Sequence, residues 1–491
     1  MPSTQPEGGR RNSGRSALVV GGGISGLCAA LELRRQGLDV TVLEATGRWG
    51  GCVGIHEVGG LTLDSGAESF ATRTDAVKAL LDELGLADEV VVPHPSGAWV
   101  QLPERAEELP KAGVLGIPSN PWDPEVRSAV GWWGAMRASL DRYLPVRNSQ
   151  EKASVAAVVR ARMGRRVLER LVTPVVGGVH SADPALLDID MVAPGLRQLM
   201  AERGSLSAAV AAQRERIASK AGAGTKAGSA VAGIRGGMNR MITALVARLT
   251  DDGVHLLSGM RAERLDRLWG GWRVGAIAQD GSRESYDAEL VVVALGGPAA
   301  VELLSDAVTE LAGHEPVPGP EVKLVTLVLD KPELDARPRG TGVLVAPQAP
   351  GISAKALTHA TGKWPWLADE AGPGTHVVRL SYGRAEDDAQ PPRVSEPETD
   401  DELFRAALAD ASTLLTVTIT PEDVLGWDVV RWEGALPFAM VGHRERVAEI
   451  RRLVAAQPGL AVVGGWAAGN GLASVVPDAR AQAIELAARA L

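Results

Sequence analysis

The sequence predicts an α/β and α+β chain in three parts. One is a parallel-sheet domain assembled from separated stretches, one is a helical domain, and one carries a mixed sheet. Three observations lead there. The apolar strand "ALVV", residues 17–20, runs into three glycines and then a helical pattern. A long middle stretch has helical periodicity and little strand pattern. The last stretch, "GLAVVGGWAAGNGLASVVPDARAQAIELAARAL", repeats the order strand, glycine turn, helix. At 491 residues the chain is too long for one core, so two or three domains are expected.

Taken in order, residues 1–15 lack the apolar segment of a secretory signal and read as a disordered tail. Residues 16–90 form the first part of the parallel-sheet domain. Gly21-x-Gly23-x-x-Gly26 fits the dinucleotide fingerprint, in which the first glycine allows the turn and the second admits a pyrophosphate. The third lets helix pack on strand, while the helix N-terminus faces the anion. Ile24, Leu27, Cys28 and Leu31 then mark a helix face, so Cys28 is a core residue. A second strand, "DVTVLEA", ends at Glu44, eighteen residues past Gly26, where an acid that binds a ribose hydroxyl is expected. The domain is thus Rossmann-like. Gly47-Arg48-x-Gly50-Gly51 follows at once and resembles the second motif of large FAD oxidases and desaturases, which nicotinamide enzymes lack. The implied cofactor is FAD. A hairpin turning at Gly59-Gly60 comes next.

Residues 91–215 read as the helical domain and 219–230, "SKAGAGTKAGSA" in outline, as a flexible linker. Residues 231–300 return to the FAD-binding domain with "IRGGMNRMITALVARL" and the strands "VHLLSG", "WRVGAIA" and "ELVVVAL". Residues 301–435 form the mixed-sheet, substrate-binding domain, and 436–491 complete the FAD-binding domain. The acidic stretch "RAEDDAQPPRVSEPETDDE" is a solvated loop.

Composition excludes several classes. A net charge of −9 argues against a nucleic-acid partner. No apolar run reaches the roughly 20 residues of a membrane span, so a cytoplasmic protein is expected. Cys28 and Cys52 are the only cysteines and form no CxxC, so reduced thiols and no metal site are expected. The chain lacks GxSxG, HExxH and Walker A patterns.

Several stretches together resemble the coproporphyrinogen III/protoporphyrinogen oxidase family of haem biosynthesis, within the flavin amine oxidase superfamily. They are "GGGISGL…VLEATGRWGG…DSGAESF", "SVAAVVRARMGRRVLERLVTPVVGGVHSADPALLDIDMVAPGL", "IRGGMNRMITAL", "GTGVLVAPQAPGISAKALTHATGKWPW" and "RWEGALPFAMVGH". The resemblance implies FAD contacts at Gly21, Gly22, Gly23, Ile24, Ser25 and Gly26, and at Glu44, Ala45, Arg48 and Cys52. It adds Gly66, Ala67, Glu68 and Ser69, then Ala262, Trp432, Asn470, Gly471 and Leu472. The sequence departs from the family at Ala473, where proline is usual.

The implied reaction is oxidation of coproporphyrinogen III to coproporphyrin III, six electrons in three flavin cycles with dioxygen as acceptor. Ferrochelatase-type enzymes of the haem pathway are the implied partners. Four propionates on an acidic protein call for local cations, and Arg165, Arg166 and Lys363 are candidates. His180 is a candidate near the substrate or a structural histidine, and no catalytic side chain is assigned. Protoporphyrinogen IX stays open as the substrate. A flavin amine oxidase and a non-catalytic flavoprotein are the rival readings. Three Tyr and three Phe in the whole chain leave little for the aromatic cage of an amine site.

Overall fold

A computed structural model describes residues 15–110, 113–145, 153–220, 231–383, 397–434, 440–469 and 471–489. Its nucleotide half is a five-stranded parallel sheet. The strands are β1 (Ser16–Val20), β2 (Asp39–Glu44), β3 (His255–Ser258), β4 (Leu290–Val293) and β5 (Leu460–Val462), and they lie in the order β3-β2-β1-β4-β5. Strands this apolar suit burial on both faces. Ala17 and Val19 face a core shared with helices α1 (Ile24–Arg35) and α3 (Leu472–Arg489), whereas Leu18 and Val20 face a second core around Trp272, Val301 and Ile450. The strand order reverses between β1 and β4, and open α/β sheets bind ligands beyond the carboxyl ends at such a point. Gly21 follows β1 and Ala294 follows β4, so the glycine turn occupies that crevice.

The second sheet has seven strands in the order 424–432, 322–330, 375–382, 356–359, 342–345, 99–101, 106–108. All neighbours are antiparallel except 342–345 with 99–101. The helix Asp400–Leu415 covers one face and starts in a capping box, Thr399 Oγ1 accepting from Glu402 N–H. The helical region has its own core, stitched by the buried Arg162–Asp141 pair at 2.6 Å.

Three details differ from expectation, and a fourth concerns a proline inside a helix. Residues 99–108, expected in the helical region, supply two edge strands of the seven-stranded sheet; each has three residues, too few to show alternation. The helix Leu206–Lys220 enters the expected linker, whose residues 221–230 lie outside the described ones, as do 1–14 of the tail. Arg15, counted with the tail, is fixed: its carbonyl accepts from Asp39 N–H at 2.9 Å. Pro477 lies inside α3 and has no N–H for the carbonyl of Ala473, four residues back; Thr74 Oγ1 donates to that carbonyl instead, at 3.2 Å. The hairpin Ile55–Val58/Leu61–Asp64 turns at Gly59-Gly60 as expected.

Candidate functional site

The glycine turn divides its labour. Gly21 has φ of +111°, and a Cβ there would meet Ala294 O at 2.6 Å. A Cβ at Gly26 would lie 1.9 Å from Gly21 O, so Gly26 serves the packing of α1 on β1. Gly23 is different: a Cβ there would touch only Gly51 Cα, at 4.0 Å. The chain needs no glycine at 23 for its own packing, and the open space beside it suits a group that must approach the backbone at the start of α1. Ile24 and Ser25 begin that helix and are buried.

Around this turn the "RWGG" stretch folds back. Gly50 N–H donates to Gly22 O at 2.9 Å, and Gly23 and Gly50 form a parallel bridge. The Trp49 ring covers Gly22, where a Cβ would meet it at 2.4 Å. Glu44, at the end of β2, accepts from Gly22 N–H (2.7 Å) through one oxygen and from Thr46 N–H and Oγ1 (both 2.8 Å) through the other. The oxygen that faces Gly22 keeps a lone pair for an outside donor, while the other is filled by the two donors of Thr46. Ala45 and Arg48 are exposed, and the Arg48 guanidinium has no partner among the described residues. This arrangement fits a dinucleotide: an open glycine, an acid at the strand end and an uncommitted cation nearby.

The next layer joins distant segments. Ala67 N–H donates to Cys52 O at 2.9 Å, and a Cβ on Gly66 would strike that oxygen at 2.1 Å. Trp432 closes the layer: its indole N–H donates to Ser65 O at 3.0 Å, and its ring lies 3.4 Å from a Cβ position on Gly66. Cys52 is exposed, while Cys28 is buried in the α1 core, which pushes its thiol up to about 12. Gly66, Ala67, Glu68 and Ser69 therefore sit on one loop between the "RWGG" turn and the seven-stranded sheet.

Glu68 anchors that loop to the sheet. Its carboxylate receives Lys363 Nζ at 2.5 Å and an Arg379 nitrogen at 3.0 Å. Burial alone would raise its pKa, but Lys363 and Arg379 outweigh it and hold the carboxyl at about 2. Arg379 also donates to the carbonyls of Asp64 (3.2 Å) and Gly66 (2.9 Å). Asp64 in turn caps helix α2 (Asn239–Asp251), accepting from the N–H groups of Met238 and Asn239. Burial raises the Asp64 carboxyl, against the pull of these hydrogen bonds. Asp64, Glu68 and Arg379, with Thr326, Trp364 and Trp366, line a cavity of about 30 Å³.

The remaining expected residues are placed as follows. Ala262 lies on the strand Met260–Leu268, beside a bulge and three residues beyond Gly259, whose N–H bonds Thr46 O at 2.9 Å. Gly471 has φ of +89° and open space at its Cβ, and Leu472 is buried at the start of α3; Asn470 lies outside the described residues. Lys363, considered for propionate binding, is committed to Glu68. Arg165 pairs with Glu169 at 2.5 Å on the surface, and Arg166 packs on the helix at Val130. His180 is at the end of the helix Thr173–His180, where burial holds its pKa down at about 4. Sequence reasoning missed Trp49, Asp64, Thr326 and Arg379. Trp49 stood between the motif glycines and could have been singled out; the other three carry no local signature.

Comparison with known proteins agrees with this geometry. Residues 24–491 match the family of flavin containing amine oxidoreductases. A coproporphyrinogen III oxidase of Mycobacterium leprae is 32% identical, the match covering 96% of this chain and 98% of that protein. Another of that name from Propionibacterium freudenreichii is 30% identical over 96% and 91%. A crystal structure from Exiguobacterium sp. 255-15 shares the fold with a TM-score of 0.79 at 24% identity, covering 97% and 99% of the two chains. The open glycine cradle, the acid at the strand end and a family match over nearly the whole length lead to one conclusion: the chain belongs to the flavin-containing amine oxidoreductases.

Proposed function

We propose that the chain is an FAD-dependent oxidase of coproporphyrinogen III in haem biosynthesis, forming coproporphyrin III with dioxygen as acceptor. The observation that carries this reading is the full-length similarity, at 32% identity, to a protein named coproporphyrinogen III oxidase. No helix of the described residues is long and apolar enough to cross a membrane. The reading puts the enzyme in the cytoplasm, handing its product to a metal-inserting enzyme of the ferrochelatase type.

In this reading Gly21 to Gly26, Glu44, Ala45, Arg48, Cys52, Gly66 to Ser69, Ala262, Trp432 and Asn470 to Leu472 hold the FAD. The bound flavin supplies a two-electron acceptor, used three times for the six electrons that leave the macrocycle. Gly23 leaves room for the pyrophosphate, and Arg48 offers it positive charge. Glu44 accepts a ribose hydroxyl. Trp432 and Arg379 hold loop 64–69 through its carbonyls, so the flavin-facing backbone is set before substrate arrives. Since Glu68 engages both Lys363 and Arg379 and leaves the trio with one net positive charge, most of the charge that meets four propionates must come from cations elsewhere.

The test compares kcat/KM for coproporphyrinogen III and protoporphyrinogen IX, each prepared anaerobically and followed by porphyrin fluorescence. Coproporphyrinogen III should be preferred, and added salt should raise its KM more, because four carboxylates are screened rather than two. A preference for protoporphyrinogen IX overturns the substrate assignment. Failure of both substrates to bleach the flavin without oxygen overturns the enzymatic reading.

A further inference from the structure

Three histidines gather around the short helix Ala360–Lys363, outside the residues assigned to FAD. His359 ends the strand Ala356–His359 and is fully buried, and His376, on the neighbouring strand Thr375–Tyr382, is 6% exposed. Their ring centroids lie 5.0 Å apart, with His359 Nε2 and His376 Nδ1 separated by 3.0 Å. His376 Nε2 faces Asp335 Oδ1 at 3.1 Å, and the Asp335 side chain is exposed. Thr361 Oγ1 also lies 3.1 Å from His376 Nδ1. His94, the third, has its Nε2 3.2 Å from Arg337 Nη1 and its Nδ1 2.7 Å from Ser96 Oγ.

This geometry fits uncharged imidazoles. A guanidinium only donates, so the Arg337 contact needs a lone pair on His94 Nε2. Between His359 and His376 there is room for a single hydrogen. With His376 Nε2–H donating to Asp335, its Nδ1 accepts from His359 or Thr361. A proton added at His376 would drive the His359 hydrogen to Nδ1, which is buried and has no partner among the described residues. Gly362 closes that side, since a Cβ on it would lie 2.7 Å from the same nitrogen. Burial lowers the pKa of all three histidines. Arg337 adds to this in each and His376 adds to it in His359, while Asp335 opposes it in His359 and His376. His359 is held at about 3. Histidines held below their ordinary 6.5 take up protons once released, so the closed arrangement is complete above pH 6.5 and weakens as pH falls below it.

The cluster is tied to loop 64–69. His94 N–H donates to Lys363 O at 2.8 Å, and Thr361 Oγ1 accepts from Val377 N–H at 3.2 Å, which seats the helix on the sheet. Lys363, the last residue of that helix, reaches Glu68. We propose that His94, His359 and His376 form a proton-sensitive latch: while neutral they seat the helix Ala360–Lys363 and so hold loop 64–69, and proton uptake releases both. Its consequence for the flavin rests on the placement of FAD against that loop.

The test is amide hydrogen exchange of the holoenzyme, read by mass spectrometry at about pH 7.5 and about pH 5.5 and corrected for the intrinsic rate. Peptides covering 64–69 and 359–364 should open about tenfold more at the lower pH for each histidine that charges on opening. Peptides of β1 and β2 should not change. His94→Gln/His376→Gln keeps polar partners for Arg337 and Asp335 but takes up no proton, and should remove most of the rise. If that variant holds too little flavin to count as folded, Arg337→Gln takes its place: with the opposing charge gone the histidines titrate while closed, and the rise should shrink. No rise in 64–69, an equal rise in β1 and β2, or an undiminished rise in a folded variant overturns the proposal. Flavin fluorescence should increase over the same interval. Loop opening with the flavin retained would support the latch and count against FAD contacts at residues 66–69.

Discussion

The two walls of the candidate site are built on opposite principles. The wall formed by β1, β2 and the glycine turn works through side chains that are missing: Gly23 faces open space, and its neighbours Gly22 and Gly26 are closed by Trp49 and Gly21. The wall formed by the seven-stranded sheet works through side chains that are present and committed, with Glu68, Lys363 and Arg379 in one half-buried cluster. The first wall is damaged by adding atoms and the second by removing a charge. Each therefore fails in its own way, and that difference can be measured.

The largest effect is expected at Gly23. Gly23→Val has room within the protein, so the apoprotein should melt near the wild-type temperature yet purify without flavin. Gly26→Ala inverts the pattern. Its Cβ would lie 1.9 Å from Gly21 O, and overpacking of this kind costs about 1–3 kcal/mol of fold stability. Flavin absorbance per chain and apoprotein melting separate the two. A fully flavinated Gly23→Val variant would remove the pyrophosphate from this turn.

On the other wall Glu68→Gln leaves Lys363 and Arg379, 15% and 14% exposed, beside a neutral amide; breaking a fully buried pair costs about 3–5 kcal/mol, and this exposure brings the loss to the lower end or below it. The pH dependence gives the sign. The folded-state value of about 2 lies below the ordinary 4.5, so the stabilisation is complete above pH 4.5 and is lost as pH falls toward 2. Wild-type stability should therefore fall more steeply than that of Glu68→Gln across that window, in denaturant titrations at each pH. Parallel curves would mean that Glu68 is not the group held down.

This contrast also explains what could be read from the sequence. A phosphate site made of backbone needs glycines at fixed offsets along one strand–turn–helix, so Gly21, Gly23, Gly26 and Glu44 were legible within thirty residues. The Glu68 cluster draws on residues 295 and 311 positions away in the chain, and no local pattern announces such a pairing. "DSGAES" and "KWP" were each visible, but that Lys363 meets Glu68 rather than a propionate follows only from the packing of loop 64–69 on the sheet. The two strands at residues 99–108 were missed for a related reason: three-residue strands take their partners from the tertiary fold and show no period of their own.

A smaller effect is expected at Glu44. Its carboxylate already organises the turn through Gly22 and Thr46, and an outside hydroxyl would add one charge-assisted bond worth about 1.5–3 kcal/mol. Glu44→Ala should weaken FAD binding roughly tenfold to a hundredfold, measured by titration of apoprotein. An unchanged dissociation constant would mean that the ribose lies elsewhere.

The smallest effect tests whether every polar group on the sheet wall is committed. Thr326 is 2% exposed, pairs across the sheet with Arg379 and Asp428, and its hydroxyl has no hydrogen-bond partner among the described residues. Trp366 Nε1 lines the same cavity and likewise has none. Val has nearly the shape of Thr, and removing a buried hydroxyl that satisfies nothing removes a desolvation cost without losing a bond. Thr326→Val should therefore leave stability unchanged or raise it by up to about 1 kcal/mol. A loss beyond about 1 kcal/mol, read from the denaturant midpoint, would show that the hydroxyl is bonded in solution. The cavity of about 30 Å³ behind Glu68 would then hold a polar group, and this wall too would owe part of its order to an open space.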